Sequence, residues 1–224
     1  SYSKVEDYFA RIHAVMTRGA EVRDLLVIHP VESMWVTFRY SPEGRAPGIQ
    51  EMDAMFIALR DSLLTANIDF DYGDEEMLSR LARVTRVGGQ AVLRVNKATY
   101  KAVVVPPLKT MRSTTLKLLK AFRAAGGRVV FAGDVAAYVN AKPSPAAADV
   151  AKLCDRAPAK GPALARSVES VARRLSILDA TGCPVRAGLH LLREDKEAMY
   201  LFVCNTGEKA FKPKNETKAL VRDK

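Results

Sequence analysis

The chain is poor in the residues that most often carry chemistry. Among 224 residues there are three cysteines and three histidines, and one tryptophan. Cys154, Cys183 and Cys204 have no CxxC spacing and no paired histidines nearby, which speaks against a zinc site. An odd cysteine count also argues against a disulfide framework. No apolar run approaches the roughly 20 residues needed to cross a bilayer. A secretory leader is not expected in Ser1–Val15, which carries charges throughout. GxGxxG and GxxxxGK[ST] are both missing, and Gly126-Gly127 precedes a strand-like run instead of opening a helix. A hydrolase elbow is missing too: the apolar run ending at Val105 continues into Pro106-Pro107-Leu108, with no Ser or Cys nucleophile. Neither a cofactor nor a metal is expected, and no catalytic residue is assigned.

What is present is ordinary globular material. Hydrophobic residues make up 48% and charged residues 27%, enough for a sizeable core. The net charge of +10 admits two readings, an anionic-polymer surface or a solvated basic one. Basic residues are dispersed except for the tail Lys209, Lys212, Lys214, Lys218, Arg222 and Lys224, and no aromatics interleave with that tail. Nucleic acid therefore ranks behind the other partners.

Periodicity gives an alternation of helices and buried strands. Val5, Tyr8, Phe9, Ile12, Val15 and Met16 share one face of a helix over 2–18. Leu25-Leu26-Val27-Ile28 reads as a strand buried on both faces, followed by a loop to about Gly48 with turns at Ser41–Gly44 and Pro47-Gly48. A second helix spans 49–66, a strand Ile68–Tyr72, and Asp74 can cap a helix to about Ala82. A small β-excursion over 84–98 leads to strand Val103–Val105, a helix from Ser113 to Ala125 and strand Arg128–Ala132. Residues 141–162 read as a surface insertion with a short helix at 146–154. Ala163–Arg174 reads as a helix, and Leu175–Leu178 as a last parallel strand. Val185–Arg193 and Met199–Asn205 form an antiparallel hairpin. The expected architecture is an α/β, flavodoxin-like three-layer sandwich with a mostly parallel sheet, plus that C-terminal antiparallel hairpin. Three segments follow: an N-terminal helix (1–20), the α/β domain (21–182), and antiparallel strands (183–224).

Loops at the carboxyl ends of parallel strands are where open α/β sheets bind ligands. His29 through Trp35, Asp69 through Glu76, and Pro106-Pro107-Leu108 are such loops. Asp69, Asp71, Asp74 and Glu75 could bind a metal, accept from sugar hydroxyls or act as an acid/base pair. Alternatively Asp74 is a helix cap and Glu75 and Glu76 favour the helix start, which leaves Asp69 and Asp71 unexplained. His29 and Glu32 could form a polar pair. Trp35 is either a sugar-stacking platform or a packing anchor.

Taken together, Asp7–Ile12, Asp24–Ser33, Ile68–Glu75 and Tyr100–Pro107 resemble the middle domain of large glycoside hydrolases. The nearest kind is the trimerisation domain of β-galactosidases and their relatives, a flavodoxin-like fold related to class I glutamine amidotransferases. Leu191–Asp195 with Leu201–Asn205 resembles the start of the β-sandwich that follows such a domain. The resemblance covers about residues 6–206. It implies a catalytic (β/α)8 barrel upstream in the same parent chain, with the first helix leading out of it, and a β-sandwich downstream. The middle domain then packs on the barrel, helps assemble homo-oligomers and lends residues to the rim of a carbohydrate site. The chain is expected to be a fragment of such an enzyme without catalytic residues of its own. A stand-alone hydrolase using the acidic cluster is the alternative, and a basic nucleic-acid module comes last. A cytoplasmic location is favoured slightly, with no membrane partner.

Overall fold

The computed structural model describes residues 2–39, 47–182, 185 and 188–205. The basic tail and Cys183 lie outside these residues, as do the turn residues Ser41–Gly44. In chain order the first elements are α1 (Tyr2–Met16), β1 (Ala20–Glu21), β2 (Leu25–Ile28), α2 (Val31–Thr37) and α3 (Pro47–Leu64). Next come β3 (Phe70–Gly73), α4 (Glu75–Leu81), β4 (Ala82–Val87), β5 (Gln90–Val95), β6 (Ala98–Tyr100) and β7 (Ala102–Val105). They are followed by β8 (Thr110–Met111), α5 (Ser113–Ala124), β9 (Arg128–Ala132), β10 (Tyr138–Val139) and β11 (Lys142–Pro143). The last are α6 (Ala146–Ala151), β12 (Asp155–Ala157), α7 (Pro162–Ala172), β13 (Gly188–Glu194) and β14 (Met199–Asn205).

The chain divides into two compact units, Arg23–Arg174 and a discontinuous unit of residues 1–22 with 175–224. In the larger unit, β12, β9, β7, β2 and β3 lie side by side in one sheet, every neighbouring pair parallel. Counting these five strands along the chain, their spatial order is 2-1-3-4-5, the flavodoxin-like order. The fold is α/β, as the alternation of elements predicts.

Two-residue alternation divides the core into two layers. Leu26, Ile28, Val103, Val105, Val129 and Phe131 face Leu116, Leu119 and Phe122 of α5 and the buried residues of α4 and α6. Leu25, Val27, Ala102, Val104 and Val130 face Leu59 and Leu63 of α3 and Leu164 and Val168 of α7. Each fully buried leucine contributes about 1.5–3 kcal/mol, so both helix layers are held chiefly by apolar burial. The excursion β4–β5–β6 is antiparallel, and its Ala91, Leu93 and Tyr100 join the first layer.

Three sequence expectations change. The fifth strand is Asp155–Ala157, not Leu175–Leu178, within a stretch that reads as a surface insertion. It is an edge strand, half exposed, so no apolar run betrays it. In the same stretch Ala147, Val150 and Ala151 of α6 are buried, because small side chains let the helix approach the sheet layer closely. The stretch 29–48 is not all loop: Val31–Thr37 is helical, and Pro47-Gly48 opens α3, where proline's missing N–H costs nothing.

The smaller unit joins the two chain ends. Ala20 and Glu21 pair antiparallel with Glu194 and Arg193, and β13 pairs with β14 from Gly188↔Asn205 to Glu194↔Met199. Sequence reading assigns the N-terminal helix and this hairpin to separate segments; β1 is the strand that unites them. Gly19, at φ +55°, is where a side chain would meet the carbonyl oxygen of Glu194 at 2.2 Å.

The α5–β9 connection shows how local sequence sets a boundary. Gly126 N–H donates to Arg123 O and Gly127 N–H to Phe122 O, a Schellman ending with Gly126 at φ +96°. A Cβ on Gly127 would lie 2.2 Å from the fully buried Phe122 ring, whereas one on Gly126 meets nothing within 4 Å. Gly126→Ala should therefore cost only the left-handed strain, about 1 kcal/mol. Gly127→Ala should cost about 2–3 kcal/mol through overpacking. Urea denaturation of the two variants checks this, and equal losses would contradict the steric account.

Candidate functional site

All five parallel strands point their carboxyl ends the same way, so the connecting loops collect there. The topological switch point falls between β2 and β7, the first and third strands of the order. Here α2 follows β2 after His29-Pro30, and Pro106-Pro107-Leu108-Lys109 leads from β7 to β8. Val31, Trp35, Val36 and Thr37 are poor helix formers, and seven residues make a marginal helix. Tertiary contacts hold it. The buried Ser33 hydroxyl accepts from Lys109 N–H (3.0 Å) and Thr110 N–H (3.1 Å) and donates to Thr110 O (3.0 Å). One hydroxyl thus ties α2 to the chain leaving β7.

Beside that tie runs a polar relay through Arg112. Its Nε donates to Glu32 Oε1 at 2.6 Å, and its backbone N–H donates to Glu75 Oε2 at 2.8 Å. Glu32 Oε2 is buried and has no hydrogen-bond partner. Glu75 is 1% exposed, and burial pushes its carboxyl up to about 7. The Thr115 hydroxyl and the Arg112 N–H pull it back, while the Glu32 charge adds to the rise. Glu75 thus keeps its proton to a higher pH than an exposed carboxyl does.

Two adjoining cavities open next to these groups. One of about 250 Å³ is lined by Glu32, Trp35, Met111, Arg112 and Asn140, together with Val36, Thr110 and Ala141. The other, of about 330 Å³, shares those last three residues and adds Thr37, Arg39, Lys109 and Tyr138. Trp35 is 69% exposed and Tyr138 44%. The shared wall is shaped by the tight β10–β11 turn, in which Asn140 and Ala141 both have left-handed backbone, φ +51° and +60°. Ala141 N–H donates to the Thr110 hydroxyl, and Asn140 Oδ1 accepts the N–H of Ser113 at the start of α5. For alanine that conformation costs about 1–2 kcal/mol, offset here by the two contacts.

The remaining sequence candidates separate. Asp69 and Asp71 lie toward the other end of the sheet, where Arg23 Nε donates to Asp69 (2.8 Å) and Arg23 Nη1 to Asp71 (2.9 Å). Tyr100 Oη also donates to Asp71. Asp74 accepts from Met77 N–H and caps α4. His29 does not meet Glu32. Its ring packs at 5.4 Å from Phe56 and 5.5 Å from Tyr72, centroid to centroid. Only Glu32, Trp35 and Glu75 therefore share the neighbourhood of Arg112. Arg112 itself, Ser33, Arg39, Lys109 and Tyr138 escape a motif-based reading. For Arg112 a weak signal exists: a basic residue directly before a helix start, after a predicted strand end. Among the described residues no group of three or more His, Cys, Asp or Glu could hold a metal ion. No helix among them is long and apolar enough to cross a membrane. No protein-family model and no curated protein matches the chain.

Because burial raises Glu75 above its ordinary value of 4.5, the folded state holds a proton that the unfolded chain releases. The contribution is neutral below about pH 4.5, becomes destabilising as pH rises to about 7, and levels off above. Glu75→Gln removes it. The stability of E75Q relative to the parent should improve by about 3 kcal/mol between pH 4.5 and pH 8. Urea unfolding at both pH values checks this; a pH-independent difference would overturn the assignment.

Proposed function

We propose that this chain is a non-catalytic accessory and assembly domain of a carbohydrate-active enzyme, with the groove beside α2 at the rim of a sugar-binding site. In this reading the parent chain is a glycoside hydrolase. Its catalytic (β/α)8 barrel lies upstream and a β-sandwich downstream. The observation that carries the sugar contact is Trp35: a broadly exposed indole beside a cavity that Glu32, Arg112 and Asn140 also line. An aromatic face stacks on the apolar C–H face of a pyranose, and polar side chains hydrogen-bond its hydroxyls. The 2-1-3-4-5 strand order agrees with the fold that the resemblance implies.

The loop after β7 supports a role without chemistry. Pro106-Pro107 stands where a nucleophile would serve an amidotransferase-like domain, and proline offers no nucleophile and no N–H for an oxyanion. The acidic residues do not converge as a catalytic pair either. Asp69 and Asp71 share the single cation Arg23, Asp74 is spent as a cap, and Glu75 is buried against Arg112 N–H.

Trp35 is the only tryptophan, so its fluorescence reports this groove alone. Titration of the chain with neutral oligosaccharides should shift or quench Trp35 emission, and Trp35→Ala should abolish binding measured by calorimetry. The same preparation should not hydrolyse aryl glycosides. A gene that encodes a barrel before Ser1 supports the parent-enzyme part, and a reading frame starting at α1 overturns it. Turnover that disappears in Asp71→Asn would favour the stand-alone hydrolase instead.

A further inference from the structure

The two halves of the groove differ in charge. In the Trp35 half, Glu32 and Arg112 pair at 2.6 Å and largely cancel. In the other half, Arg39 and Lys109 line the wall with Tyr138, and neither has an acidic partner among the described residues. A neutral ligand laid along both cavities would strip water from two cations and return only uncharged acceptors to them. A ligand with a negative group at that end would satisfy them through charge-assisted hydrogen bonds.

Resting on the sugar reading above, we propose that the groove selects an anionic saccharide. One sugar ring stacks on Trp35 beside the Glu32–Arg112 pair, and an acidic substituent of the neighbouring unit sits between Lys109 and Arg39. The polarity of the groove then fixes the direction in which the glycan runs. A nucleic acid fits less well: the cations stand at one end only, with no row to follow successive phosphates, and Glu32 faces the stacking half.

The test uses one glycan with and without its charge. Trp35 emission of the full chain is titrated with trigalacturonate and with its fully methyl-esterified form. The acid should bind at least about tenfold more tightly than the ester, as one charge-assisted contact allows. That preference should shrink as salt rises. Lys109→Gln and Arg39→Gln should each reduce that preference by weakening binding of the acid. Equal binding of acid and ester overturns the anionic selectivity and leaves the sugar reading standing. If neither form binds, the selectivity fails, and if neutral oligosaccharides are silent as well, the sugar reading fails with it. Binding of oligothymidylate but of no saccharide overturns both.

Discussion

Leu25, Leu26, Val27 and Ile28 give β2 no polar side chain, and all four are buried. A strand of that kind must be covered on both faces, and its backbone must be hydrogen-bonded on both edges. Parallel partners β3 and β7 meet the second demand, and α3 with α7 on one side and α5 on the other meet the first. Each return of the chain to start another parallel strand consumes a helix, and every strand ends at the same edge of the sheet. The place where ligands can bind thus follows from how completely one short apolar strand is buried.

At that edge the switch point is not left open. The Ser33 hydroxyl serves three backbone groups of Lys109 and Thr110, closing the gap between the chains leaving β2 and β7. Arg112 then joins α2 to α4, with its side chain on Glu32 and its backbone on Glu75. With these contacts made, the open space lies among α2, β8 and the β10–β11 turn. Buried hydrogen bonding decides where the groove is, and the exposed groups beside it, Trp35, Arg39 and Lys109, give the groove its chemistry.

The acidic residues between 69 and 75 are close in sequence and divided in space. Asp69 precedes β3 and Glu75 follows it, so a strand's length separates them. Arg23 precedes β2, the parallel neighbour, and parallel pairing brings it to the same end as Asp69. An ion pair 46 residues apart in the chain thereby accounts for carboxylates that a local reading leaves unexplained.

Much of the architecture was legible in one dimension. Continuous apolar runs marked β2, β7 and β9, helical stretches were expected where α3, α5 and α7 lie, and Gly126-Gly127 marked the end of α5. These features are local, since burial on both faces and helical amphipathicity each leave a repeating pattern. Polar edge strand β12 and the seven-residue α2 were not legible, because each owes its conformation to what lies beside it. Trp35, Glu32 and Glu75 could be named as candidates from their positions after strands. Their grouping around Arg112, and the removal of Asp69 and Asp71 to the far end, were not visible. The amino-acid sequence by itself determined that this chain builds a buried parallel sheet between helices, because hydrophobic periodicity is written residue by residue. Only the tertiary structure decided which polar groups meet, because those hydrogen bonds join segments that are distant in the chain and carry no repeating signal along it.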